Sequence, residues 1–339
     1  MPPRTERVAD VLRAARALAD PASDVGARAR AAAVRDCALT APTVERAFAV
    51  ACARYTPAVV ASLASDARDK QRVGVVLAAT VATAPLRAVA LPWLAGAARI
   101  TVRPSRRQPS LVRAFVDAFG RPEITAADAL PESLDAVVAY GGDASLDAIA
   151  RGLAPGVAFE GHGHGFGVSY VGPDAPLEAA ARAVAVDVAE HDQRGCLSPQ
   201  TVFVAGDAVA FAKALHAALG ALEARWPRGP LGAGEGAAVA QWQGVTAARA
   251  RWFRRGAAHG VGALDAAALV ATPGLRNVAV CPTASVDALR EALGRELPHL
   301  TCVGVAGTID PAAWRFTRAR VVAAGTMQDP PLDGPEDPR

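Results

Sequence analysis

Lysine is nearly absent, with Lys70 and Lys213 the only two among 339 residues. Arginine carries almost all the positive charge, and 36 basic against 33 acidic residues leave a net charge of +3. That near-balance excludes a basic surface built for nucleic acid. Aromatics at 5% exclude a base-stacking platform. The bias towards arginine and alanine reads as genome composition, and it leaves few candidates for a catalytic amine. No apolar run is long enough to cross a bilayer: the most apolar stretch, 73–100, is broken by Pro85, Arg87 and Pro92. The charged start runs straight into Val8, Leu12, Ala15 and Leu18 at helical spacing, unlike a signal peptide. The cysteines (Cys37, Cys52, Cys196, Cys281 and Cys302) are odd in number and contain no CxxC pair. Neither a zinc site nor a disulfide framework fits that pattern, and the expectation is a cytoplasmic protein without an integral membrane segment.

Hydrophobic residues at 52% supply a sizeable core, and the length suits two domains with a smaller appendage. Residues 1–70 read as helices punctuated by Pro21, Pro42 and Pro57. From residue 73 the pattern becomes strand and helix in alternation. Strands are expected at 73–79, 100–103, 134–140, 156–160 and 168–171, with helices at 85–97, 110–119 and from 143 to 150. A helix over 177–191 leads into a polar turn and a fresh strand at 201–204. After a helical, tryptophan-containing region, a second α/β stretch has a strand at 277–281, a helix at 286–297 and a strand at 300–305. Alternation at this spacing predicts parallel β-α-β units.

Cys196 lies on a turn, between Gln193, Arg194 and Gly195 and the pair Ser198 and Pro199. There Arg194 and main-chain N–H groups would lower its thiol pKa and favour the nucleophilic thiolate. The plainer reading is a small buried hydrophobe; it is applied to Cys37, Cys52, Cys281 and Cys302, which sit in apolar patterns. Arg103, Ser105, Arg106 and Arg107 end a strand, where α/β sheets bind nucleotides. Arginines there suit a 2′-phosphate, or form a solvated basic turn. No GxGxxG fingerprint occurs, which argues against an ordinary Rossmann dehydrogenase. Gly141 and Gly142 follow a strand as a weak phosphate-loop signal. His162 and His164 stand two apart without a third ligand, so the sequence offers no good metal site. Glu160 or His164 could serve as base or proton relay beside Cys196, or simply form a hydrogen-bonded turn.

Taken together, these segments resemble the long-chain acyl-CoA reductases associated with bacterial bioluminescence, a branch of the aldehyde dehydrogenase superfamily. The resemblance runs from about residue 70 to the C-terminus and rests on 75–87, 102–106, 138–143 and 159–171. Its most specific parts are 192–200, around Cys196, and the closing 325–332. The fold it implies is α/β and aldehyde-dehydrogenase-like. It comprises an N-terminal helical segment (1–70), a Rossmann-like NADP-binding domain (71–191) and an α/β catalytic thiol domain (192–305). A C-terminal segment (306–339) packs back on the first domain or forms an oligomerisation arm.

The activity implied is NADPH-dependent reduction of a fatty acyl-CoA or similar acyl thioester to the aldehyde, through an acyl-cysteine on Cys196. Arg103 takes the place of the superfamily's ribose-binding lysine, and Arg106 that of the acidic residue that often follows. Thr80, Val81, Ser105, Gly141 and Gly142 complete the implied cofactor set. Thr80 also stands where the superfamily has the oxyanion-holding asparagine, a substitution by a shorter donor. Glu160 falls near the superfamily's general base, which a reductase does not need, with His164 beside it. The region between about 206 and 275 is compressed, at the expense of the acyl pocket or of the oligomerisation hairpin. A homodimer or higher oligomer is implied. The competing readings are a catalytically weak or inactive relative kept as a binding or scaffold protein, and an aldehyde dehydrogenase working towards acid.

Overall fold

The computed structural model describes residues 2–65, 71–79 and 81–332, and the chain divides into two compact units. The first runs to His164 and takes in Pro331 and Leu332. It begins with α1 (Arg4–Ala19), α2 (Asp24–Cys37), α3 (Ala41–Ala53) and α4 (Pro57–Leu63). Local chemistry sets their starts. Ser23 accepts the Gly26 N–H ahead of α2, and Thr56 accepts that of Val59 ahead of α4. Pro42 and Pro57 occupy first turns, where a missing N–H breaks no helical hydrogen bond.

The sheet of this unit follows as β1 (Arg72–Val76), α5 (Ala84–Ala95), β2 (Arg99–Arg103), α6 (Pro109–Phe119), β3 (Ile124–Ala126), β4 (Ala136–Tyr140), α7 (Asp143–Gly152) and β5 (Ala158–His162). The strands lie in the order β3-β2-β1-β4-β5, every pairing parallel. Val76 stands opposite both Arg103 and Ala139, so the carboxyl ends of β1, β2 and β4 meet along one edge. The opening helices do not stand apart as a segment of their own. Val11, Leu18 and Phe48 share one core with Val75, Trp93, Ile100 and Phe115. Asp10, fully buried, ties them together by accepting from Trp93 Nε1 at 3.2 Å and from Arg121 Nε at 2.7 Å. Leu332 joins the same core, and Arg87 donates to the Pro331 carbonyl at 2.8 Å.

The second unit spans Gly165–Pro330. In chain order it contains β6 (Phe166–Val171), α8 (Leu177–Ala189), β7 (Pro199–Val204), α9 (Ala208–Glu223), α10 (Ala233–Arg249), β8 (Trp252–Arg255), β9 (Gly260–Ala263), β10 (Asn277–Pro282), α11 (Val286–Leu293), β11 (Leu300–Ala306) and β12 (Arg320–Ala323). Its sheet runs β12-β11-β6-β7-β10-β9-β8, parallel except for the β8–β9 hairpin. β6 and β11 are buried along their whole length. Their near-continuous apolar runs are what a parallel sheet covered on both faces requires.

The border between the units falls at His164/Gly165, earlier than the 191/192 expected from the sequence. Chain geometry explains the difference. Only residues 163–165 separate β5 from β6. Parallel neighbours in one sheet need a crossover of about a dozen residues or more. β6 therefore cannot follow β5 as a parallel neighbour in the first sheet, and pairs with β7 and β11 instead. α8 follows β6 and shares a core with α9. Among the described residues no helix is long and apolar enough to cross a membrane.

Candidate active site

Two features among the described residues are suited to chemistry, one in each unit. In the first, the carboxyl ends of β1, β2 and β4 open into a cavity of about 1200 Å³. Its walls include Val76, Arg103, Ser105, Arg106, Tyr140 and Gly141. It lies where the strand order reverses between β1 and β4, the position at which open α/β sheets bind nucleotides. Asp128 and Glu132 face the same space, so ribose hydroxyls as well as phosphates would find partners there.

Gly141 and Gly142 pass a simple test for a ligand cradle. A Cβ added at Gly141 would come no closer than 3.8 Å to any neighbour, and at Gly142 it would meet nothing within 4 Å. Packing does not demand glycine at either position. The pair instead leaves the start of α7 bare, the end of a helix that attracts phosphate. The donor set and the cradle fit a nicotinamide dinucleotide. Gly142 and Val81 are not among the cavity walls; Val81 leads into α5, its carbonyl accepting from Ala84 at 3.3 Å. Thr80 lies outside the described residues.

Glu160 and His164 belong to this first unit. Glu160 sits on the edge strand β5 with its side chain largely exposed, 3.1 Å from His162 Nε2. The His162 ring in turn stacks on Tyr140, centroids 4.6 Å apart. The His164 N–H donates to Asp143 at 2.8 Å. His164 is thus tied by its N–H to the first turn of α7, while Glu160 stands at ion-pair distance from His162 on its own strand.

In the second unit, Cys196 is exposed on the turn between α8 and β7. Cys37, Cys52, Cys281 and Cys302 are buried, as their apolar settings predict. Burial pushes the thiols of Cys52 and Cys281 up to about 11 and that of Cys302 up to about 12. They are inert at neutral pH. The turn itself is unusual. His191, Asp192 and Gln193 have φ of 51°, 52° and 59° in succession, the left-handed region that residues with a Cβ disfavour. All three are buried. Gln193 Nε2 donates to the carbonyls of Pro199 (2.7 Å) and Asn277 (3.0 Å), and its Oε1 accepts the Asn277 N–H at 2.8 Å. Asp192 is held by Arg276, and the pair is completely buried.

Arg194, which the sequence sets two residues before the thiol, has its guanidinium committed to the carboxylate of Glu235. Glu235, in the first turn of α10, also accepts the Gly232 N–H at 3.0 Å. The arginine charge is thus matched by an opposite one.

The segment after Cys196 is fixed by the closing segment of the chain. Gln328 donates to Ser198 Oγ at 2.9 Å, and Met327 packs with Leu197 and Cys302. Gly167 on β6 and Gly304 on β11 make the room. A Cβ at Gly167 would fall 2.4 Å from the Leu197 carbonyl oxygen, and one at Gly304 would fall 2.6 Å from the Met327 sulfur. Thr301 Oγ1 lies 2.7 Å from the Cys196 carbonyl oxygen. The two stretches that carry the resemblance most specifically are therefore in contact with each other.

Asp187, on α8, anchors the closing segment by accepting the N–H groups of Gly325 (2.6 Å) and Met327 (2.9 Å). Burial pushes its carboxyl from the ordinary 3.8 up to about 7, against the pull of those two donors. The folded protein then holds a proton that the unfolded chain releases. Stability from this group is complete below about pH 3.8 and is lost as pH rises through about 7. The unfolding free energy of wild type, measured against Asp187→Asn in urea, should therefore decline by a few kcal/mol from about pH 5 to about pH 8. Parallel pH curves for the two proteins would refute this.

Sequence comparison places residues 116–332, well over half of the chain, in the family described as acyl-CoA reductase (LuxC). No curated protein matches the sequence. Among solved structures, the chain is similar to an NAD-dependent benzaldehyde dehydrogenase from Corynebacterium glutamicum. Identity is 16%, covering 98% of this chain and 83% of that one, with a TM-score of 0.76. It is also similar to an aldehyde dehydrogenase from Mycobacterium tuberculosis complexed with NAD+, at 14% identity, 94% and 77% coverage and a TM-score of 0.75. A proline utilization A structure with proline bound in remote sites matches 95% of this chain at 16% identity and a TM-score of 0.76. This chain spans only 38% of that much longer protein. At such identities the likeness shows the fold, which is that of the aldehyde dehydrogenases.

Proposed function

The chain belongs to the acyl-CoA reductase (LuxC) family, and from that premise we propose that it reduces a fatty acyl thioester to the aldehyde through Cys196. The observation that carries this reading is the contrast among the cysteines: one is exposed on a rigidly held turn, and the other four are buried. The Cys196 thiolate attacks the acyl carbonyl, a new C–S bond forms, and the CoA thiolate leaves and takes up a proton. The acyl-cysteine is itself a thioester, so its carbonyl stays activated towards a second nucleophile. Arg103, Ser105 and Arg106, beside Gly141 and Gly142, would hold NADPH, and the hydride it supplies when bound would add to the acyl carbon as the C–S bond breaks, releasing the aldehyde and returning the Cys196 thiolate. The Cys196 N–H would hold the oxyanion.

Intact-mass measurement after incubation with long-chain acyl-CoA, without NADPH, tests the reading. An acyl adduct discharged as aldehyde when NADPH is added is the expected result. No adduct at any chain length would overturn it and favour a binding or scaffold role. A carboxylate product would point to aldehyde oxidation instead. The cofactor assignment has its own test. Arg106→Ala should raise KM for NADPH about tenfold, equivalent to ~1.4 kcal/mol, and leave KM for NADH nearly unchanged. Equal changes for both cofactors would remove Arg106 from 2′-phosphate recognition.

A further inference from the structure

We infer that Arg276, acting through Asp192, is a positioning residue for Cys196. The inference rests on the reading of Cys196 as the reacting thiol. The argument begins with the turn. Three consecutive residues with side chains adopt left-handed backbone just ahead of Gly195 and Cys196, a conformation that persists only where the surroundings impose it. Arg276 is what imposes it at Asp192. Its Nε and Nη2 lie 2.9 and 2.6 Å from Asp192 Oδ1, and the other carboxylate oxygen accepts the Gly229 N–H at 2.9 Å. The same guanidinium reaches the Ala189 carbonyl, at the last residue of α8, at 3.4 Å, and the Trp226 carbonyl beyond α9 at 2.7 Å. One side chain thereby spans the entry to the turn and the acid inside it.

Arg276 is itself held in a left-handed conformation (φ 64°), as is Leu275 (φ 58°). Asn277, next in sequence, exchanges main-chain hydrogen bonds with the Gln193 side chain. The start of β10 therefore grips the turn at two successive residues, Asp192 and Gln193. A fully buried ion pair is poor value for stability alone, since apolar residues of similar volume often do as well or better. What such residues lack is direction. The two-pronged guanidinium defines where Asp192 sits, and with it the path of the backbone that presents the thiol.

The double variant Asp192→Leu/Arg276→Met separates positioning from stability, because it replaces the pair by apolar groups of comparable size. Thermal midpoint, iodoacetamide alkylation of Cys196 and the acylation rate as a function of acyl-CoA concentration are measured on the full chain. The expected result is a folded protein whose Cys196 is alkylated within about twofold of the wild-type rate. Its maximal acylation rate should fall at least tenfold, with little change in the half-saturating acyl-CoA concentration. Should the double variant not fold, Arg276→Lys carries the test with the same measurements, since it keeps the charge and loses the planar fork. A folded variant acylated at the wild-type rate would overturn the inference alone. A wild type that forms no acyl adduct would overturn the thioester reading and this inference with it.

Discussion

Replacing Cys196 by alanine is expected to abolish the acyl adduct and to lower aldehyde formation from acyl-CoA by at least about 10³-fold. The loss should be chemical and not structural. The side chain is exposed, and substitutions at exposed positions usually change stability by no more than about 0.5 kcal/mol. Urea midpoints of the variant and the wild type should therefore coincide. The other four cysteines are buried. With thiols pushed up to about 11 or 12 by burial, Cys52, Cys281 and Cys302 are almost wholly protonated at neutral pH. Cys196→Ser sharpens the point, because it keeps the shape and removes the ionisable thiol. An alanine variant that still accumulates the acyl adduct would place the nucleophile elsewhere.

The second large effect comes from a residue with no side chain. Gly167→Ala would place a Cβ 2.4 Å from the Leu197 carbonyl oxygen, 2.9 Å from its carbonyl carbon and 2.8 Å from Met327 Cε. Met327 can yield, but the Leu197 backbone is the chain immediately after the thiol. Strand β6 cannot retreat either, being paired on both sides with β7 and β11. The strain is expected to cost about 1–3 kcal/mol of stability. It should also displace Cys196 enough to slow acylation on the order of 10²-fold, the usual consequence of a misplacement near 1 Å. Gly142→Ala serves as the control for stability. With nothing within 4 Å of its added Cβ and φ of −72°, it should lose no more than about 1 kcal/mol, the usual cost of alanine at an N-cap. Equal stability for Gly167→Ala and wild type would contradict the packing argument.

Much of this protein is legible from local chemistry. Prolines in first turns mark where α3 and α4 begin, and apolar runs mark the central strands β1, β7, β10 and β11. Such patterns need only near neighbours to be read. Cys196 is distinguished from the other cysteines in the same way, by a polar, glycine-containing turn where they have apolar periodicity. β3, β8, β9 and β12 leave little trace, because each is only three or four residues long. Gly260 and Gly262 weaken the signal of β9 further, since glycine carries no strand preference.

What the sequence determined alone is the α/β alternation, the odd cysteine and the motifs of the family. Tertiary structure decided the partners. Arg194 looks as though it serves the thiol, yet it is neutralised by Glu235 from α10. Nothing near residue 192 announces that its acid is met by Arg276, which arrives only with β10. The residues between β5 and β6 are too few for a crossover, and that constraint becomes visible only once strand pairing is known. Periodicity and turn chemistry are local properties of a chain. Charge pairing, close approach of backbones and sheet membership depend on residues far apart in sequence, and folding is what brings them together.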